Sequence, residues 1–143
     1  QFEDGQPIYN ERELSHMLDV KNLVQATLKI WVAVGVILLL TIVAAAIGHW
    51  LPDVWRAFSR GGWLTLGVIV LILVGVALNF DALFTEFHHL FFTGDTWLFY
   101  YSDSLIRLFP IRFWQDAFIF MGVLTGAMSL IAGLWGRKAS RSA

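Results

Sequence analysis

The sequence predicts an all-α integral membrane protein with three transmembrane helices. Three observations predict it: long uncharged apolar stretches, basic residues gathered on alternate connections, and tryptophans at the stretch ends. Residues 30–51 contain no ionisable side chain except His49, and residues 63–80 and 117–136 contain none. A helix needs roughly 20 mostly apolar residues to cross the hydrocarbon layer, where every backbone N–H and C=O must be satisfied within the segment. Each stretch is long enough, the second only just. With 143 residues, 57% of them apolar, and a positive mean hydropathy, residues 1–143 read as one membrane unit rather than several domains.

The first element is a polar outer segment, residues 1–29, leading into the first span. It opens on Gln1, with no Met and no basic stretch followed by an apolar one. The expectation is therefore the C-terminal part of a longer protein, or the loss of something upstream. Asn10 can cap a helix by accepting a free backbone N–H, and Glu13 can reciprocate in a capping box. No Pro or Gly follows until Gly35, so one helix is expected to begin outside the bilayer and run into it. On it Ser15, Asp19 and Asn22 follow one face, with His16 on the edge. After the span at 30–51 comes a connecting loop, 52–60, and then the second span, 63–80. That helix can continue through Asp81, Thr85 and His88, since no breaker precedes Gly94. The sequence Thr93-Gly94-Asp95-Thr96 reads as a turn. Residues 97–109 read as a short amphipathic helix on the outer surface, closed by Pro110. The third span, 117–136, and a tail, 137–143, complete the chain. Gly67, Gly75, Gly122 and Gly126 are read as small residues that let helices approach closely.

Orientation follows from charge. Arg56 and Arg60 in the 52–60 loop, with Arg137, Lys138 and Arg141 in the tail, are half of the ten basic residues. Short segments rich in Lys and Arg stay in the cytoplasm, which places residues 1–29 and the connection 81–116 outside. Those outer segments carry ten of the eleven acids. Trp50, Trp55, Trp63 and Trp135 flank inner ends, while Trp97 and Trp114 fall in the outer connection, as indole rings at headgroup depth should. A net charge of -1 with scattered basic residues gives no case for nucleic-acid binding. The absence of cysteine excludes disulfides, thiolate nucleophiles and Cys-type metal sites.

The residues that could carry chemistry are His16 and His88, each in a polar flank next to an outer span end and able to meet at one depth. An imidazole with a pKa of ~6.5 can take or give a proton at neutral pH, so two of them make a base and acid pair. Asp19 could orient the His16 ring, and Asp95 or Asp81 that of His88. His88 and His89 point about 100° apart on a helix, so one at most serves a small site. The adjacent pair lacks the i,i+4 spacing of a zinc helix, and histidines at the rim without an attachment cysteine do not suggest haem. Neither a phosphate loop nor a serine-hydrolase elbow occurs. No cofactor or metal is expected. On the residues alone, proton-transfer catalysis by the imidazole pair, metal-dependent membrane hydrolysis and a non-catalytic membrane subunit stay open.

Two segments resemble a bacterial family, the lipoprotein intramolecular transacylases. Residues 11–21, Glu-Arg-Glu-Leu-Ser-His-Met-Leu-Asp-Val-Lys, look like its outer motif, a His and then Asp-Val-Lys just before a span. Residues 87–97, Phe-His-His-Leu-Phe-Phe-Thr-Gly-Asp-Thr-Trp, are similar to its second motif, with Gly94 where an Asn often stands. With the span order, the likeness covers nearly the whole chain. The family has an additional N-terminal span, so a fourth helix is expected in the complete protein. The resemblance implies an enzyme of the cell membrane with its site on the extracytoplasmic face. It would move the sn-2 acyl chain of a lipoprotein's diacylglyceryl-cysteine onto the cysteine's α-amino group. It places the catalytic histidines at His16 and His88. Asp19, Asp95, Trp97 and Arg107 are the orienting or substrate-contacting candidates, and the partners implied are diacylated lipoprotein and membrane lipid. The oligomeric state, the lipoprotein preference and the division of labour between the two histidines are not legible.

Overall fold

The computed structural model describes residues 7–142; the first six residues of the outer N-terminal segment lie outside the described residues, as does residue 143. The described chain is helical: α1 (Glu11–Ile47), α2 (Leu51–Phe91), α3 (Ser104–Leu108) and α4 (Ile111–Ser142). Three of these, α1, α2 and α4, are long and apolar enough to cross a membrane. At 1.5 Å per residue, the 37 residues of α1 run about 55 Å and the 41 of α2 about 61 Å. A hydrocarbon layer is about 30 Å thick. Both helices therefore carry more than a turn of polar sequence beyond it.

The capping box opens α1 as expected: Asn10 Oδ1 accepts from Glu13 N at 3.0 Å, and the Glu13 carboxylate accepts from Asn10 N at 2.7 Å. At the C-terminal end of α1, Gly48 and His49 turn the chain into α2, with His49 at φ 60° in the left-handed region. Histidine is among the residues that tolerate this conformation better than branched ones. Residues 52–60, expected as a loop, are instead helical. Pro52 sits in the first turn of α2, where its missing N–H costs nothing, and Asp53 pairs with Arg56 at 2.7 Å one turn on.

The second helix does pass through Asp81 and His88, but it is broken at Asn79, whose φ and ψ of -160° and 85° are not helical. Asn79 Oδ1 accepts from Ala82 N at 3.1 Å. The side chain thus replaces a backbone acceptor and restarts the helix, as Asn does at an N-cap. The outer helix expected over 97–109 is shorter than read, only Ser104–Leu108. The residues before it turn, because the Asp103 carboxylate accepts from Tyr100 N at 2.8 Å and from Asn10 Nδ2 at 3.1 Å. Pro110 then starts α4 at Ile111, ahead of the apolar stretch.

The scaffold is the pair α2 and α4, joined along a seam of small residues. Ser59 Oγ donates to Gly133 O at 2.6 Å, and a Cβ added at Gly62 would lie 2.6 Å from Gly133 N. At Gly136 an added Cβ would meet Trp55 O at 2.9 Å. Backbones this close need glycine, the packing mode of membrane helices. Of the glycines read for this purpose, Gly122 does face Leu73 closely, but Gly126 makes ordinary contacts and Gly67 has nothing within 4 Å. The tight contacts fall elsewhere, at Gly62, Gly133 and Gly136. The inner tryptophans also pack between helices, Trp55 and Trp135 with ring centroids 4.9 Å apart. By contrast, α1 is buried only at Glu13, His16 and Ala45; residues 17–44 are exposed or half-buried.

Candidate active site

Helix α1 brings His16 and the outer part of α2 brings His88 to one place, ring centroids 5.9 Å apart and nearly parallel. Both residues are only 7% exposed. Phe92 and Phe99 close on the edges of the His16 ring, at 5.0 and 5.4 Å, while Phe84 and Trp97 flank that of His88, at 4.2 and 4.9 Å. The next residue, His89, is exposed, and its ring meets that of Trp97 edge-on at 5.3 Å. Both imidazoles line a cavity of about 300 Å³. Apart from the two imidazoles and two indoles its walls are aliphatic, phenyl or thioether, supplied by all four helices and the segment before α3.

The two rings differ in their hydrogen bonds. His88 Nδ1 lies 2.7 Å from Phe84 O. A carbonyl only accepts, so Nδ1 carries the proton and Nε2 presents a lone pair. His16 Nδ1 is buried with no hydrogen-bond partner among the described residues. Both histidines lie beyond the apolar stretches of their helices, and both have pKa values held below the ordinary 6.5. Burial is the main cause at His16, followed by repulsion from His88, with Asp19 opposing. At His88 burial again leads; the Phe84 carbonyl opposes it and His89 adds to it. Burial thus favours the neutral form of both rings, and the charge of His88 disfavours charging His16. Among the described residues no three His, Asp or Glu side chains cluster closely enough to hold a metal ion.

The segment between α2 and α4 straps over this cavity and is tied to α1 at four points. Glu13 is the most buried of the ties, at 1% exposure: its Oε2 caps α1, and its Oε1 accepts from Leu105 N of α3 at 2.6 Å. Arg12 Nη1 donates to Leu98 O at 2.9 Å, with its guanidinium over the Tyr100 ring. Thr96 Oγ1 donates to Asp19 Oδ2 at 3.2 Å, and Asn10 holds Asp103. The expected orienting role of Asp19 on His16 is thus replaced in geometry by a tie to Thr96, although its charge still favours the imidazolium. Asp95 is exposed and engaged through its carbonyl, which accepts from Leu98 N to make the turn. Neither Asp95 nor Asp81 bonds the His88 ring among the described residues; that ring is held by Phe84 O. Arg107 is exposed on α3 and in no ion pair among the described residues, while Arg112 pairs loosely with Asp116 at 3.8 Å. Trp97 lines the cavity.

Comparison with known proteins gives this geometry a family. The model of the family described as "Lipoprotein intramolecular transacylase Lit" matches residues 5–114. The chain belongs to the lipoprotein intramolecular transacylase family. That match contains His16, His88 and the whole strap as far as α3. A protein of Aquifex aeolicus (strain VF5) named only as uncharacterized is 30% identical over 150 residues, covering 96% of this chain. The chain spans 62% of that relative's length. No solved structure matches the transacylase chain. Within it, the sequence pointed to His16, His88 and Trp97 but missed the tie made by Glu13. The capping-box pattern accounts for only one oxygen of that carboxylate.

Proposed function

We propose that this chain carries the acyl-transfer site of a lipoprotein intramolecular transacylase. The reaction moves the sn-2 acyl chain of a diacylglyceryl-cysteine to the α-amino group of that cysteine. The observation that supports the reading best is the hydrogen-bond asymmetry of a buried imidazole pair lining an apolar cavity. An ester aminolysis needs one proton removed from nitrogen and one delivered to oxygen. His88 Nε2 has the free lone pair, so His88 acts as the base that takes the amine proton as the nitrogen attacks the ester carbonyl. The N–C bond forms, the tetrahedral adduct collapses, and the C–O bond to the glyceryl sn-2 oxygen breaks with its electron pair on oxygen. That oxygen receives a proton from the pair, through His16, whose tautomer no hydrogen bond fixes. The protein ends in the protonation state in which it began. Mutual repulsion keeps a second proton off the pair, so a base remains available at neutral pH.

Donor and acceptor are parts of one molecule, so the protein's contribution is to fold the headgroup into attack geometry and to hold acyl carbons away from water. The apolar walls from Val20 and Phe84 to Trp114 offer that surface. By the distribution of basic residues, the site faces the extracytoplasmic side of a bacterial cell membrane, where substrate enters laterally from the bilayer.

The test is incubation of the full-length protein in proteoliposomes with a diacylated lipopeptide, followed by fragment-ion mass spectrometry. Fragment ions are needed because migration leaves the total mass unchanged. The expected product is N-acyl, S-monoacylglyceryl peptide, with turnover lost in His16→Ala and His88→Ala. An unaltered N-terminus with the wild type overturns the reading, and full turnover by either variant overturns the roles given to the histidines.

A further inference from the structure

Trp97 carries a polar group that the fold leaves unanswered. Its indole Nε1–H is buried and has no hydrogen-bond partner among the described residues. Indole nitrogen is a donor only, so no rotation or tautomer can relieve it. Buried donors without acceptors are rare in native proteins and call for an explanation, a catalytic role being one. An interfacial anchor gives no such explanation, because an anchor keeps its N–H at the water or headgroup level.

The position of this ring is fixed with unusual care. On one side of it, Thr96 Oγ1 is tied to Asp19 of α1; on the other, Leu98 O is tied to Arg12 of α1. Arg12 and Asp19 bracket His16 in sequence, so the backbone on both sides of Trp97 is referenced to the helix that carries one imidazole. The indole ring itself lies 4.9 Å from the His88 ring. Trp97, His16 and His88 line the same cavity.

We propose that Trp97 is a third catalytic residue: its indole N–H donates to the carbonyl oxygen of the migrating acyl group as that oxygen becomes an oxyanion. This rests on the acyl-transfer reading and adds to it the group that stabilises negative charge, which neither imidazole supplies while one is removing and the other delivering a proton. A donor held by the fold and unpaired before substrate arrives has no protein partner to give up as the oxyanion forms, which is the advantage of a preorganised donor. The proton stays on nitrogen throughout; no bond to Trp97 is made or broken.

The test separates the hydrogen bond from the shape of the ring. In the full-length protein Trp97 is replaced by 3-benzothienylalanine, in which sulfur stands for the N–H and the bicyclic outline is kept. The expected result is a kcat lower by about 100- to 1000-fold, the usual effect of losing one oxyanion donor, with KM changed only a few-fold. Trp97→Phe should lose at least as much. A kcat for the isostere within threefold of wild type overturns the proposal. A second measurement uses wild-type protein labelled with ¹⁵N-tryptophan and a lipopeptide bearing a tetrahedral phosphonate in place of the sn-2 ester. The Trp97 Nε1–H resonance should move downfield on binding, and an unmoved resonance with the phosphonate bound overturns the proposal. A wild type that makes no N-acyl product from the ordinary lipopeptide overturns the acyl-transfer reading itself, and is seen before any variant is compared.

Discussion

Removing the Glu13 carboxylate should loosen the strap without unfolding the bundle. Its two oxygens serve two helix starts: Oε2 accepts from Asn10 N at 2.7 Å, within α1, and Oε1 from Leu105 N at 2.6 Å, across to α3. A hydrogen bond to a charged group contributes about 1.5–3 kcal/mol. In Glu13→Ala the bond across to α3 is lost, and opening of the strap becomes easier by about that amount. At 1.4 kcal/mol per factor of ten, amide exchange at Leu105 should quicken by roughly 10- to 150-fold. Glu13→Gln should fall between, since its amide keeps one acceptor oxygen but turns an N–H toward the other backbone donor. The loss at Asn10 is the ordinary cost of a helix cap, about 0.5–2 kcal/mol, and stays within α1. Hydrogen exchange read by mass spectrometry on peptides covering residues 96–109 checks this, with residues 117–136 as the internal control. Acyl migration should slow in parallel, because Trp97 and the cavity wall depend on the strap. Unchanged protection over 96–109 in Glu13→Ala would refute the reasoning.

Three further outcomes are expected. In the pH profile of kcat/KM the substrate's own α-amine should titrate at about 7.7–8.0, and the imidazole pair should give a separate break below about 6.5, activity falling as pH drops through it because protonation consumes the base. His89→Gln removes a charge that lowers the His88 pKa and should move that break upward; a break above 6.5 in the wild type would contradict the burial of the pair. Gly62→Ala should lower the thermal unfolding temperature in detergent by the equivalent of about 1–3 kcal/mol, since its Cβ would meet backbone at 2.6 Å, while Gly67→Ala, with open space around it, should leave the temperature unchanged or slightly raised. Asn79→Leu removes the acceptor of Ala82 N and should straighten α2, carrying His88, nine residues and about 13 Å onward, out of register with His16; migration assays should show a lower kcat with unfolding temperature little changed.

The spans were legible because hydrocarbon contact is written as uninterrupted apolar sequence, and the capping box because its two partners are three residues apart. Helix ends were not. Hydropathy reports where a helix meets lipid, and both α2 and α4 run on through charged residues such as Asp53, Arg56 and Asp116 that it reads as connection. The break at Asn79 was invisible for a related reason: a side chain that can either tolerate a helix or cap a new one gives no signal until its geometry is known. The close seam at Gly62, Gly133 and Gly136 needed the facing helix, since a glycine looks the same whether it meets backbone at 2.6 Å, as Gly62 does, or open space, as Gly67 does. That His16 and His88 meet was foreseeable from their shared depth, but the bond that distinguishes them is made to a backbone carbonyl, Phe84 O, and backbone partners leave no mark on residue identity. Leu105 N, the partner of Glu13 across 92 positions, was hidden in the same way.

A common physical cause links the long helices, the strap and the buried imidazoles. On the proposed acyl-transfer reading, a reaction on a lipid headgroup would take place just above the hydrocarbon, where water is plentiful, yet proton transfer between two rings and an ester would benefit from its exclusion. Helices cut to bilayer thickness would end below that level. By running about 55 and 61 Å, α1 and α2 carry His16 and His88 past the apolar zone, and the Phe84, Phe92, Phe99 and Trp97 rings then supply there the dry surroundings that lipid supplies lower down. Hydrophobic attraction is non-directional and does not by itself fix where the aromatic strap sits. That is why its ties to α1 are polar and directional, and why α1, exposed through most of its length, is held firmly at the level of the histidines.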